Sequence, residues 1–310
     1  MRCYLLIIII CISLPCHASI SGCSKTDSIA GIVDSAKIHR HRSTTLAIAA
    51  GAAYAGTMIG LYNLWYCGYP QSNFHFFNDN NEWMGMDKLG HATTSYYVGR
   101  FGYHTFRWAG MSEQRATWIG GSSGFIFLTI VEILDGFSSE WGASPGDLAA
   151  NTLGSALFIS QQMIWHDQKV LLKWSYHPTS FPGYRPDLYG SRFAQKMVKD
   201  YNGHTYWLSA NLCSFIGKDS QIPRWLNVAV GFGANGMTGA ANNSISYKGL
   251  PIPEFKRQHI LFIAPDIDFT RIHTRSVMLK WVFEAIGFLK FPLPAIEFRG
   301  NRIKFHPLYF

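Results

Sequence analysis

Long apolar segments separated by short polar ones dominate the first half of the chain. No Asp, Glu, Lys or Arg occurs from residue 43 to residue 78, and apolar residues recur at helical spacing further on. A period near 3.6 residues is typical of amphipathic or buried helices. The pattern predicts a compact, membrane-protein-like bundle of four helices, at residues 45–66, 87–108, 113–134 and 145–165.

Small residues recur at four-residue spacing in two of these helices. Gly56 and Gly60 form one pair, and Gly120 and Gly124 form the other. Small residues at this spacing let two helix backbones approach closely. Both pairs therefore predict helix contacts.

The second half of the chain changes to a period of two, which is typical of half-buried strands. Strand-like segments occupy residues 201–211, 225–232 and 258–272, and a helix is predicted at residues 276–290. Gly300-Asn301 lies between two further segments and predicts a two-residue hairpin turn. Alternation with apolar residues predicts that Asp266 and Asp268 lie on a solvent-facing strand edge. The fold class predicted is α+β, ending in a β-hairpin.

The first residues predict export. A short basic segment at Arg2, an apolar run from Cys3 to Leu14 and small residues up to Ala18 are typical of a secretory signal. An alternative is a lipobox, which would make Cys23 the lipidated first residue. The predicted organisation is a signal at 1–18, a helical bundle at 44–170, a Pro-rich connection at 171–200 and a basic strand-and-helix region at 201–310.

The charge is unevenly distributed. Residues 1–170 contain 10 Lys+Arg and 11 Asp+Glu, a net of −1, whereas residues 171–310 contain 17 and 8, a net of +9. A basic surface favours phosphate-bearing partners, and export makes nucleic acid an unsuitable one. Envelope lipids or anionic glycans are the expected partners.

The mature chain retains three cysteines, at positions 23, 67 and 213. Cys67 and Cys213 are a candidate disulfide in an oxidising compartment. The loop charges do not fit four membrane spans. After a cleaved signal, the cytoplasmic loops would carry Asp79, Glu82 and Glu140 but no Lys or Arg, against the positive-inside rule. This disfavours proton-coupled transport.

Three polar pairs interrupt the apolar helices. Asp87 and His91 are four residues apart, Glu132 and Asp135 three, and Asp147 and Asn151 four, so the members of each pair share a helix face. Buried charges are costly unless they have partners. The functional hypothesis assigns catalysis or metal binding to Glu132, His91 and Asp135, with support from Asp87, Lys88, Asp147 and Asn151.

Each pair also has a structural interpretation. Asp87 is placed like a helix N-cap, and Ser144 with Asp147 has the form of a capping box. Burial and the neighbouring Asp135 would raise the pKa of Glu132, while an ion pair with Lys88 or His91 would keep it charged.

The three blocks resemble the YfiM-like predicted lipoproteins of unknown function, in a longer form found in Bacteroidetes envelopes. The resemblance rests on Asp87-Lys88-x-x-His91, Glu132-x-x-Asp135-Gly136, Trp141-Gly-Ala-Ser144 and Asp147-x-x-x-Asn151-x-x-Gly154. A looser similarity links this pattern to VanZ-like membrane proteins, although the Gln that follows the Glu there is missing here. The resemblance implies an envelope location and a shared polar centre.

The sequence thus predicts an exported envelope protein with a structural or binding role at a membrane or envelope surface. The alternative is a hydrolase or transferase that acts on an envelope lipid or glycan through His91, Glu132 and the nearby aspartates. No cofactor can be assigned. A solvent-open pocket containing these residues would favour the enzyme, and a closed, mutually bonded cluster would favour the structural role.

Overall fold

A computed structural model describes residues 70–216 and 221–310, together with residues 41–62 except for positions 43, 47, 50, 53 and 61. The signal segment, Cys23 and Cys67 lie outside the described residues. Signal cleavage and lipidation therefore stay predictions. The described chain is mixed, with helices in its first half and an antiparallel sheet in its second.

The long helices lie where the apolar pattern predicts them. They are α1 (Met86–Trp108), α2 (Glu113–Gly121), α3 (Ser123–Asp135) and α4 (Pro145–Trp165). The described residues between 41 and 60 are also helical. Ser122 separates α2 from α3, a break that the sequence pattern does not predict. The arrangement of these helices as a four-helix bundle stays a prediction.

Within the described part of the chain, one helical stretch, Glu113–Asp135, is long and apolar enough to cross a membrane. Only 39% of its most apolar window is buried within the protein. Length and composition alone are weak grounds for a span, because core helices of soluble proteins share both.

Glycines allow α1 to pack closely against α2 and α3. A Cβ added at Gly120 would overlap the backbone of Tyr103, and one at Gly124 would overlap the backbone of Ser95. The predicted close approach is confirmed for this pair. Among the described residues, none lies within 4 Å of a Cβ added at Gly56 or Gly60, and the close approach predicted for that pair stays a prediction.

Six strands form one antiparallel sheet. They are β1 (Val170–Tyr176), β2 (His204–Asn211), β3 (Leu226–Asn235), β6 (Gln258–Ile267), β7 (Leu293–Arg299) and β8 (Arg302–Tyr309). Their order in the sheet is β1, β2, β3, β6, β7, β8. The short strands β4 (Ser246–Tyr247) and β5 (Leu250–Pro251) pair separately. The free edge of β1 bonds to the segment before β7, with Trp174 donating its N–H to the carbonyl of Phe288 at 2.8 Å.

The remaining helices are short. They are α5 (Phe181–Tyr184), α6 (Pro186–Tyr189), α7 (Phe193–Lys199), α8 (Leu212–Ile216) and α9 (Val277–Ile286). The predicted hairpin is confirmed: Arg299 pairs with Arg302 around Gly300, whose φ is +54°. Strand β1 and helices α5 to α7 lie in the segment that the sequence predicts as a connection.

The sheet has a core that mixes aromatic and charged side chains. Trp207 and Phe262 pack at its centre with small residues from β3 and β6. Lys173 and Asp266 form a fully buried ion pair at 2.8 Å, and Ser209 donates its hydroxyl to Asp266 at 2.6 Å. Asp266 and Asp268 are both buried, so the prediction of a solvent-facing edge is wrong. The face of the sheet that carries these polar side chains points inward.

Two compact units can be distinguished in the described chain. One comprises residues 78–94 and 164–310, and the other comprises residues 95–163 with the described residues before 78. The first, called the sheet-containing unit below, contains the sheet. The second, called the helical unit, contains α2, α3 and most of α4.

Candidate functional site

In the helical unit, Glu132 connects the end of α3 to the start of α4. Its carboxylate accepts the backbone N–H of Ser144 at 2.9 Å, and the Ser144 hydroxyl accepts the backbone N–H of Asp147 at 3.1 Å. Ser144 is therefore the cap that the sequence predicts for α4. In an ordinary capping box the N3 acid accepts the N–H of the cap residue. Here Glu132 accepts that N–H instead of Asp147.

Asp135 forms a hydrogen bond with the loop that joins the same two helices. The indole N–H of Trp141 donates to the Asp135 carboxylate at 2.6 Å. Phe74 lies over Gly136, where a side chain on Gly136 would overlap it. The sequence predicts Asp135 as a catalytic residue and metal ligand, and in the structure its partner is Trp141 of the loop.

Asn151 lies in the second turn of α4 and contacts α1 through its backbone. The hydroxyl of Ser95 donates to the Asn151 carbonyl at 2.7 Å and lies 2.9 Å from the hydroxyl of Ser155. Ser155 also accepts the backbone N–H of Phe125 at 3.2 Å. Hydroxyl groups thus join three helices where the glycines bring them close.

In the sheet-containing unit, Lys88 lies between two aspartates. Its ammonium is 2.6 Å from Asp79 and 3.0 Å from Asp87. Because α1 begins at Met86, Asp87 lies inside the first turn, so its interpretation as an N-cap is wrong. Both carboxylates are buried, and Lys88 supplies the charge that makes their burial tolerable.

His91 lies one turn after Asp87 and is completely buried. The neighbouring Gly90 packs on the Tyr206 hydroxyl of β2, with 2.9 Å between that oxygen and an added Cβ. This start of α1 is therefore packed against the sheet within its own unit.

Burial is the property that the predicted site residues share. Six of them are at most 4% exposed: Asp87, His91, Glu132, Asp135, Asp147 and Asn151. Each carboxylate described above bonds to a backbone N–H, an indole or an ammonium group. Metal binding by His91, Glu132 and Asp135 stays a prediction.

A cavity of about 330 Å³ lies in the sheet-containing unit, and none of the predicted site residues line it. Its polar lining includes His177, Glu297, Arg299 and His306. Glu297 bonds to His306 at 2.7 Å and to Arg299 at 2.9 Å. Burial lowers the pKa of His177, which favours its neutral form. The only sequence signal for this lining is the alternation of charged positions along β7 and β8.

His204 is fully buried beside that cavity. One ring nitrogen lies 2.9 Å from the carbonyl of Met197, and the other lies 3.3 Å from the Tyr206 hydroxyl. Burial lowers the pKa of His204 to about 4. Burial also lowers the pKa of Lys290, to about 8, although Asp266 opposes that shift.

Sequence reasoning missed two partners in these clusters. Asp79 occurs in the sequence as an ordinary loop charge, and Trp141 as part of a family motif. Neither has a spacing that would reveal its contact, because loops separate both from the residues that they bind. Cys213 is partly buried. Its disulfide with Cys67 stays a prediction, since Cys67 lies outside the described residues.

A family of proteins described as predicted periplasmic lipoproteins (DUF2279) matches residues 75–161. The matched segment contains every residue predicted for the polar centre. No curated protein and no solved structure matches the chain. The family has no assigned activity, and its description supports an exported, periplasmic protein.

Proposed function

We propose that the protein is a non-catalytic component of the cell envelope that binds a membrane surface, and that its polar centre holds helices and loops in place. The observation that supports the structural part is the burial of the candidate carboxylates, His91 and Asn151, together with the bonds of Glu132 and Asp135 to backbone and loop groups. General acid–base catalysis requires that a substrate atom come within hydrogen-bond distance of the catalytic group.

The alternative is an envelope hydrolase or transferase that uses His91, Glu132 and Asp135. Such an enzyme would need a cleft that reaches these side chains. Glu132 and Asp135 each bond to a group of the loop before α4, so a substrate that bonds to the same carboxylate oxygens would have to displace those loop groups. The structural role requires no such movement.

Exposed apolar side chains in the helical unit support membrane binding. Trp118, Ile119, Ile126 and Ile133 are each about half exposed in the stretch from α2 to α3. A patch of large apolar side chains on a soluble surface marks an interaction site. The matching family is described as predicted lipoproteins, which supports a location at a membrane surface.

Substituting Glu132 tests the structural role. Glu132→Ala removes the acceptor for the buried Ser144 N–H, and an unsatisfied buried donor costs about 1–3 kcal/mol. We expect a decrease of that size in the free energy of unfolding in urea. Glu132→Gln keeps a carbonyl acceptor and should lose less. Glu140→Ala removes an exposed glutamate from the adjoining loop and should leave stability unchanged.

Complementation of a strain that lacks the protein separates the two hypotheses. A structural Glu132 predicts that Glu132→Gln complements in proportion to the amount of folded protein in the envelope. If Glu132→Gln is as stable and abundant as wild type but fails to complement, Glu132 acts chemically and the structural proposal is contradicted.

A further inference from the structure

An uninterrupted row of apolar side chains crosses the outer face of the sheet. The pairing registers place Leu208 opposite Val230, Val230 opposite Ile263, Ile263 opposite Ile296 and Ile296 opposite Phe305. Directly paired residues of antiparallel strands point to the same face. These five residues are 41–63% exposed, so neither helix nor loop within the described chain covers them.

A second row lies two residues away from the first on β3, β6, β7 and β8. Phe232 pairs with Leu261, Leu261 with Phe298, and Phe298 with Ile303. All four are partly or fully exposed. The two rows together, nine large apolar residues without an ionisable group, are called the apolar outer face below.

The opposite side of the same strands carries the apolar core together with buried polar groups. Residues that alternate with the apolar outer face include Ser209, Asp266 and Glu297, and all three are buried. A sheet with one face in water normally carries polar side chains on that face. The two outer rows of this sheet are apolar instead, as expected where the surroundings of the outer face are apolar.

The charges around the sheet distinguish a lipid surface from a second copy of the chain. Between residues 221 and 310, seven Lys and Arg residues are exposed but only two acidic residues. Exposed Arg224 precedes β3 at one end of the sheet, and exposed Arg302 begins β8 at the other. A symmetric dimer would bring identical basic rims together, whereas anionic headgroups would attract them.

We infer that the apolar outer face inserts into the acyl layer of an anionic membrane leaflet, with the surrounding Lys and Arg residues at the headgroups. The inference rests on the proposed function and adds this face to the exposed apolar side chains of the helical unit as a further membrane contact. Binding of this kind grows with the apolar area buried and with attraction to anionic lipid.

Vesicle flotation tests the inference. The full chain carries Cys23→Ser so that no lipid anchor contributes, and the vesicles contain phosphatidylethanolamine and phosphatidylglycerol. Ile263→Asp and Val230→Asp each place a charge in the middle of the apolar outer face. We expect each to lower the partition coefficient by roughly tenfold or more, because a charge in an apolar layer costs at least 1.4 kcal/mol.

Ile245→Asp is the matched control, since Ile245 is 86% exposed in a loop outside the sheet. It should float like the parent. If the Asp variants do not fold, as judged by circular dichroism, Ile263→Thr with Val230→Thr keeps β-forming side chains and should still reduce binding.

The outcomes separate the inference from the proposed function. A parent protein that does not float contradicts both. If the parent floats and the Asp variants float equally well, the inference alone is wrong. A parent that is dimeric without lipid, and that Ile263→Asp makes monomeric with unchanged flotation, assigns the face to a second copy and also overturns the inference.

Discussion

Glu132 accepts the backbone N–H of Ser144, a donor that Asp147 would accept in an ordinary capping box. The N-terminus of α4 is thus fixed by a residue from the preceding helix. Asp147, completely buried in the first turn of α4, is therefore not needed as the acceptor of the Ser144 N–H. A single carboxylate therefore links the geometry of two helices, which explains why so polar a residue lies within an apolar run.

His204 gives the protein a defined sensitivity to acid. Its pKa is about 4 in the folded state and about 6.5 in an unfolded chain. The unfolded state therefore binds more protons between these values, so the stabilising contribution is complete above pH 6.5 and is lost as the pH falls toward 4. The shift corresponds to roughly 3 kcal/mol. We expect urea unfolding at pH 7 and pH 5 to show part of this loss.

Comparison with His204→Gln isolates that contribution, because other titrating groups affect both proteins alike. Gln can still donate to the Met197 carbonyl, and its stability should depend less on pH across this interval. His259→Gln, at an exposed position on β6, should keep the wild-type dependence. Equal pH dependence in wild type and His204→Gln would show that His204 is not held neutral by burial.

At the residue scale, the sequence identifies polar groups but not their partners. Glu132 stands out because it interrupts an apolar run, and the cap at Ser144 follows from local spacing. The partner of Asp135, by contrast, is a tryptophan across a loop. The two aspartates that flank Lys88 are eight residues apart, with a short 3₁₀ helix between them. Such contacts depend on tertiary packing and leave no periodic signal.

At the scale of elements, the contact between α1 and α3 depends on glycine. Gly124→Ala would force its Cβ into the backbone of Ser95, and backbone cannot move aside as a flexible side chain can. Overpacking of this kind costs about 1–3 kcal/mol or more. We expect Gly124→Ala to lower the midpoint of thermal unfolding clearly.

Gly60→Ala is the matched control, because Gly60 lies in a helix and no described residue lies within 4 Å of a Cβ added there. Alanine also favours helix over glycine, so this variant should be as stable as wild type or slightly more so. Equal midpoints for Gly124→Ala and wild type would contradict the close approach.

The strands show where a pattern of period two is informative and where it is not. The hairpin of β7 and β8 is predictable because Gly300 supplies the positive φ that its turn requires. Strand β1 was missed, since Lys173 lies within an apolar segment next to a Pro-rich stretch. Alternation shows that a strand has two faces but does not show which one is buried. Apolar side chains lie on both faces of this sheet, so alternation alone does not show that Asp266 is buried.

At the scale of the whole molecule, the two units carry different parts of the proposed function. The helical unit contains Glu132 and Asp135 with their loop contacts, and the sheet-containing unit carries the apolar outer face and most of the positive charge. Stability and membrane binding should therefore respond to different substitutions. An enzyme centred on Glu132 would not require this separation.

The most direct test measures vesicle flotation and urea unfolding in parallel for Glu132→Ala and Ile263→Asp. We expect Glu132→Ala to unfold more easily but to float like its parent under conditions where it is folded. Ile263→Asp should unfold like its parent and float roughly tenfold less. Normal flotation of Ile263→Asp would contradict membrane binding by the apolar outer face. Loss of vesicle binding by folded Glu132→Ala, with unchanged stability, would contradict the structural role of Glu132.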